Sequence, residues 1–287
     1  MIGKKTRQNL LTAQKNEITE HFIYNKLSDS VKDSHNKKVL ANISKDELNH
    51  YNFWKSFTNE DVKPNKLKIW KYYLISRLLG TTFGIKLMEK GEESAQIAYG
   101  KLNLPGVKKV IKDEDTHENE LINMINEEKL KYVGSMVLGL NDALVELTGV
   151  LAGLTLALQN TRLIAMAGLI TGVAASMSMA ASEYLSTKSE TNGKDPLRAS
   201  LYTGSAYVLT VLFLIFPFLL LPDIYLALGF TVLNAIIVIF IFTFYISVVK
   251  DLSFKKRFLE MTVISLGIAT LTFIIGFMIR IFLGISV

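Results

Sequence analysis

Five long apolar stretches follow one another from residue 134 to residue 284, at roughly 134–157, 162–185, 200–220, 224–249 and 259–284. As helices rising about 1.5 Å per residue, each is long enough to cross the ~30 Å hydrocarbon core of a bilayer. The first 131 residues differ in kind, holding 23 of the 32 Lys/Arg, 18 of the 26 Asp/Glu and all four histidines. A split this sharp predicts two domains, a water-facing one over 1–131 and a membrane-embedded one over 132–287, in an all-α fold. Cysteine is absent, which excludes disulfides, thiolate ligands and thiol nucleophiles. A tightly held metal would have to use carboxylate, imidazole or thioether groups. The net charge of +6 is modest, and its lysines are dispersed among acids, so nucleic-acid binding is not expected.

In the polar half, apolar positions recur at three- and four-residue spacing over 7–28, 36–58, 65–100 and 106–130, predicting four helices. Ser44 is an alternative cap for a shorter second helix, and Gly80, Gly84 and Gly91 weaken the third. Two Glu-x-x-His tetrads, Glu47/His50 and Glu114/His117, each set a carboxylate and an imidazole one turn apart on the same helix face. Each follows a helix in which a Glu precedes a Tyr by seven residues, Glu17/Tyr24 and Glu92/Tyr99, so each Tyr lies below its Glu as a candidate hydrogen-bond partner. Four carboxylates and two imidazoles from four successive helices are the complement expected of a bundle holding two divalent metals. Glu20 and Glu89 sit one turn from Glu17 and Glu92 as additional or substitute ligands, and Glu93, Asp113 and Glu118 crowd the same region. His21 points away from Glu17, and His35 lies near a helix start and is expected to be exposed. The Ile69–Leu74 stretch, rich in aromatics, suits core packing, a membrane surface or a partner subunit.

In the apolar half, Asp142 and Glu146 lie one turn apart on the first span, and Met179 and Glu183 lie one turn apart on the second. Intramembrane carboxylates are costly unless they are paired, protonated or lining a path. Oxygen ligands beside a thioether suit Fe²⁺ or a related divalent ion, although Met177 and Met179 serve equally well as interface fillers. Asp223 reads as a loop residue, and Glu260 stays open between the two roles. Lys129, Lys131, Lys188, Lys194, Arg198 and the 250–257 cluster flank alternate span ends. The positive-inside rule then puts the N-terminus in the cytoplasm and the C-terminus outside. No apolar run opens the sequence, so no signal peptide is expected.

The stretch Gly139–Gly153, with Asn141, Asp142 and Glu146, resembles the first span of the vacuolar iron transporter family. Ser178–Glu190 resembles that family's second span and its cytoplasmic extension. The N-terminal half resembles the rubrerythrin branch of the ferritin-like superfamily, and the combination resembles prokaryotic membrane-bound ferritins. The resemblance implies a ferritin-like four-helix bundle with a di-iron centre, followed by a five-helix transmembrane domain in the cell membrane. It implies a homodimer exporting Fe²⁺ or Mn²⁺ from the cytosol, with protons as a candidate counter-ion. Asp142, Glu183 and one or both methionines match the family's membrane metal path, and Glu146 matches the acid of ferritin-fused members. The connection after the second span is too short for the long acidic helices of plant members, a role the bundle would take over. Two other function classes remain open: a membrane-tethered di-iron oxidoreductase consuming oxygen or peroxide, and a metal sensor with negligible flux.

Overall fold

The computed structural model describes residues 4–100, 105–124, 131–190 and 193–283, with all their side chains except those of 5, 92–100, 111, 115, 118–124 and 283. The described residues are helical with short connections, and the chain divides into two compact units, Met1–Glu127 and Glu128–Val287. The first unit comprises α1 (Lys4–Ser30), α2 (Ser34–Thr58), α3 (Lys66–Leu79), α4 (Thr81–Gly100) and α5 (Val107–Met124). The second comprises α6 (Val133–Leu158), α7 (Thr161–Ser189), α8 (Pro196–Leu220), α9 (Ile224–Val249) and α10 (Phe254–Leu283).

Local signals set the helix ends in the first unit. The Asp33 side chain accepts from Asn36 N at the start of α2, and Asn59 closes that helix in the left-handed region at φ 53°. Ser44, the alternative cap, is instead interior to α2 and bonds His21 of α1. The expected third helix over 65–100 is two helices. Gly80 adopts φ 109°, ψ 148°, a conformation that only glycine takes without strain, and α3 ends there. The chain then doubles back, because Gly84 lies flat against Ser76 and Gly91 faces the Tyr72 hydroxyl.

Hydrogen bonds give the helix directions. Asn65 N donates to Thr19 Oγ1 and Arg77 donates to Ser30 O, so α3 runs parallel to α1 along its outside. Tyr24 of α1 reaches Glu89 of α4, and α4 returns antiparallel to α1. Helices α1, α2, α5 and α4 touch in that cyclic order, forming a four-helix bundle in which α3 is the crossover connection. Two apolar layers fill its interior. Leu10, Ala13, Trp54, Val107 and Val110 form one, while Ile23, Tyr24, Leu27, Leu40, Ile43 and Met88 belong to the other. Between these layers α1 buries Glu17, and α2 buries Glu47 and His50.

In the second unit α6 is central and is touched by each of the other four helices. Glycine makes this closeness possible. A Cβ at Gly139 would run into the backbone of Thr203, and one at Gly276 into the backbone of Gly153. Hydroxyl groups bridge neighbouring helices, with Thr203 donating to Ser135 O at 2.9 Å and Thr272 to Gly149 O at 2.7 Å. Asn160, Asp195 and Asp223 cap α7, α8 and α9 with their side-chain oxygens. The five helices are long and apolar enough to cross a bilayer, and their outward faces carry large exposed aliphatic and aromatic side chains. The second unit is that of a multi-pass membrane protein.

Candidate metal centre

Between the two apolar layers of the bundle, Glu17 of α1, Glu47 and His50 of α2 and Glu114 of α5 converge. Each offers one ligand atom, and these four atoms lie within 4.8 Å of one another. The helical tetrad works as its spacing requires, since Glu47 and His50 occupy one face of α2 with Nδ1 of His50 3.6 Å from Glu47 Oε2. The same Nδ1 lies 3.6 Å from Glu17 Oε2 and 2.9 Å from Glu114 Oε1. The second tetrad adds His117, whose Nδ1 stands 3.6 Å from Glu47 Oε1. Glu47 therefore presents one oxygen to each imidazole, and the two rings lie 5.7 Å apart.

The outer nitrogens of the two imidazoles face carboxylates in a crossed arrangement. His117 Nε2 meets Asp46 Oδ2 at 3.2 Å, and His50 Nε2 meets Asp113 Oδ2 at 3.6 Å. Each aspartate immediately precedes the glutamate of one tetrad and faces the histidine of the other. An outer carboxylate turns the ring and leaves the inner nitrogen free to bind. Trp54 Nε1–H donates to Glu17 Oε1 at 2.9 Å, which fixes that carboxylate and turns Oε2 inward.

The electrostatics are those of a site short of positive charge. Burial pushes the Glu17 carboxyl up to about 7, against the pull of His50 and with the charge of Glu47 adding to the rise. Burial likewise holds Glu20 well above its ordinary value, with Glu47, Glu17 and Glu114 adding to it and Lys68 of α3 opposing. Burial raises Glu114 as well. Burial alone would lower both imidazoles, but the surrounding carboxylates prevail. Glu114, Glu17 and Glu47 hold His50 far above its usual range, and Glu47 and Glu114 bring His117 to about 9. Glu17 Oε2, Glu20 Oε1, Glu47 Oε2 and the Nδ1 atoms of both histidines are buried without a well-aligned hydrogen bond. Three of these residues, Glu17, Glu47 and His50, belong to the converging group, and buried lone pairs without a hydrogen bond fit a bound cation.

The other expected residues fall at varied distances from this point. Glu89 is half-buried and accepts from Tyr24 at 3.1 Å, so Tyr24 serves Glu89 of α4 and not Glu17 of its own helix. The side chains of Glu92, Glu93, Tyr99 and Glu118 lie outside the described residues. His21 bonds the Ser44 carbonyl, and His35 is exposed at the start of α2. Asp46, Trp54 and Lys68 escaped the sequence reading. A signal for the first existed, because both tetrads are extended by the same residue into Asp-Glu-x-x-His.

In the membrane unit, Glu183 accepts from Ser135 in the first turn of α6 and from Thr187. Asp142 lies seven residues farther along α6 and Glu146 eleven, about 10 and 16 Å along the axis. These acids therefore form a ladder within one chain, and among the described residues of this unit no three His, Asp or Glu side chains cluster. Glu146 is exposed on the outside of the unit while accepting a 2.8 Å hydrogen bond from the fully buried Tyr207. Met179 packs against the apolar core, and Met177 is exposed.

The sequence model of the VIT family matches residues 133–195, a stretch that covers α6 and α7 and holds Asp142, Glu146, Met179 and Glu183. No curated protein and no solved structure matches the chain significantly. Over α6 and α7 the chain is thus similar to the VIT family, whereas its N-terminal bundle is characterised here by its buried acid and imidazole cluster.

Proposed function

We propose that this protein exports Fe²⁺, or Mn²⁺, from the cytosol, capturing the ion in its N-terminal bundle and passing it through its membrane unit. The convergence of Glu17, Glu47, His50 and Glu114 carries the reading, because three carboxylates and an imidazole buried together need a cation among them. Oxygen donors with imidazole and no thiolate suit Fe²⁺ and Mn²⁺. Glu17, Glu47, His50 and Glu114 would hold one ion. Glu47 and His117 would contribute to a second, making a di-iron centre in which Glu47 is shared. Glu92 of α4 would join the second ion's ligands, and Glu20 and Glu89, one turn from Glu17 and Glu92 on their helices, are additional or substitute ligands. Such an ion would supply the positive charge that this interior lacks.

In the membrane, Glu183, Asp142, Glu146 and Met179 would serve as the ion's successive ligands along α6 and α7. Protons compete with metal for the same carboxylates, which makes them a suitable counter-ion. Glu146 on the outer surface of α6, with Ser178 and Ser182 exposed on α7, would be costly against lipid. A second copy covering them in a homodimer removes that cost.

Reconstituted vesicles test the proposal through Fe²⁺ and Mn²⁺ flux, with and without a proton gradient. Asp142→Ala and Glu183→Ala should each abolish flux, while Glu47→Ala with His50→Ala should reduce it only at low metal. Folded wild-type protein that moves neither ion would contradict the proposal. The donor set of the bundle also favours a second reading, a membrane-tethered di-iron oxidoreductase. Metal-dependent consumption of oxygen or peroxide by protein that transports nothing would select it.

A further inference from the structure

The crossover helix α3 has two faces. Tyr72 and Ser76 are buried on the inner one. On the outer one Leu67, Trp70, Leu74 and Leu78 are exposed to 85%, 54%, 51% and 75%. At 100° per residue these four share an arc of about 80°, forming a continuous apolar stripe along the helix. Four large side chains in line on a water-facing bundle mark a contact surface. The stripe has basic borders, with exposed Lys71 on one flank and exposed Lys66 and Arg77 on the other. No acidic residue occurs in α3. Trp70 is held in place, with the Lys26 ammonium 4.1 Å from its ring centre and Tyr73 packed edge-on at 5.8 Å.

We propose that the outer face of α3 docks on the anionic surface of a lipid bilayer. An apolar stripe bordered by Lys and Arg, with tryptophan among its apolar residues, has the composition of helices that lie in the headgroup layer. The basic borders complement acidic lipids. Self-pairing of this face through a two-fold axis would bring Lys66, Lys71 and Arg77 against their own copies with no acid on α3 to offset them. Because the chain carries five membrane helices, its folded form always has lipid available to it.

The chain has two tryptophans, Trp54 wholly buried in the bundle and Trp70 on the stripe, so fluorescence reads the contact directly. The full-length protein would be reconstituted in vesicles of phosphatidylcholine with phosphatidylglycerol carrying brominated acyl chains. Bromine should quench Trp70 emission about twofold, with acrylamide in the water having little access. Trp70→Phe should remove the bromine sensitivity. Leu67→Glu with Leu78→Glu, both at exposed positions, should remove it too while restoring acrylamide quenching. Free acrylamide access in the wild type would overturn the proposal. So would shielding from both quenchers, which would mean that protein covers the stripe. Equal bromine quenching in vesicles of phosphatidylcholine alone would overturn the assignment to anionic lipid.

Discussion

Loading the bundle with metal should release protons, and the site's geometry sets how many. In the unloaded site the carboxylates hold His50 protonated well past neutrality and bring His117 to about 9, while burial brings Glu17 to about 7. A metal binds the neutral imidazole and the ionised carboxylate, so each protonated ligand gives up its proton on loading. At pH 7 both imidazoles contribute a proton and Glu17 about half of one, which makes about two to three per bundle. At pH 9.5 Glu17 has lost its proton and His117 most of its own, and the number should fall by about one. Calorimetric titration with Mn²⁺, in two buffers of different ionisation enthalpy, counts these protons without redox chemistry. The Glu47→Ala/His50→Ala protein supplies the baseline for ions bound elsewhere. Mn²⁺ binding in the bundle with no proton release at pH 7 would refute the electrostatic description of the site.

Other consequences can be measured on the same protein. Asp46→Asn and Asp113→Asn should each weaken metal binding about 10–100-fold by freeing the opposite imidazole to rotate, as read by Mn²⁺ titration. Trp54→Phe should cost about 1–3 kcal/mol of unloaded stability by depriving buried Glu17 Oε1 of its donor, seen in denaturant midpoints. Gly84→Ala should cost about 1–3 kcal/mol, because its Cβ would meet Ser76, including the backbone Cα at 2.9 Å. Without metal, the folded bundle binds more protons than the unfolded chain between 4.5 and about 7 at Glu17 and between 6.5 and about 9 at His117. Its stability should therefore fall as pH rises across that range. Melting followed through Trp54 should be highest at the acid end, and saturating Mn²⁺ should flatten the slope.

The parts of this fold that periodicity encodes were legible in the sequence. Five apolar spans and the helices carrying the two tetrads follow from residue spacing, and the tetrads place Glu47 and His50 on one face as drawn from the sequence alone. The reversal at Gly80 was not legible, because a glycine at φ 109° and a glycine inside a helix read alike until Ser76 is seen against Gly84. That reversal converts a long third helix into a crossover and a bundle helix. It also explains why Ile69 and Tyr73 pack inward while Trp70 and Leu74 do not. Pairing across helices was equally hidden. Tyr24 lies two turns from Glu17 in sequence yet bonds Glu89, and Glu17 takes its donor from Trp54. The crossed aspartates left a trace in the repeated Asp-Glu-x-x-His, a residue more than the tetrads that drew the eye. Along the membrane helices, the sequence suggested a metal path through Asp142, Glu146, Met179 and Glu183 but not the spacing of its steps. The level of Glu183 beside Ser135 separates it from Asp142 by about two helical turns.

A divalent cation neutralising the buried acids of the bundle should be visible where they converge. Crystals of the full-length protein grown with Mn²⁺ and measured at the manganese absorption edge test this most directly. An anomalous peak is expected among Glu17, Glu47, His50 and Glu114. Bound manganese found only on the exposed surface, with those four side chains left without a metal between them, would contradict it.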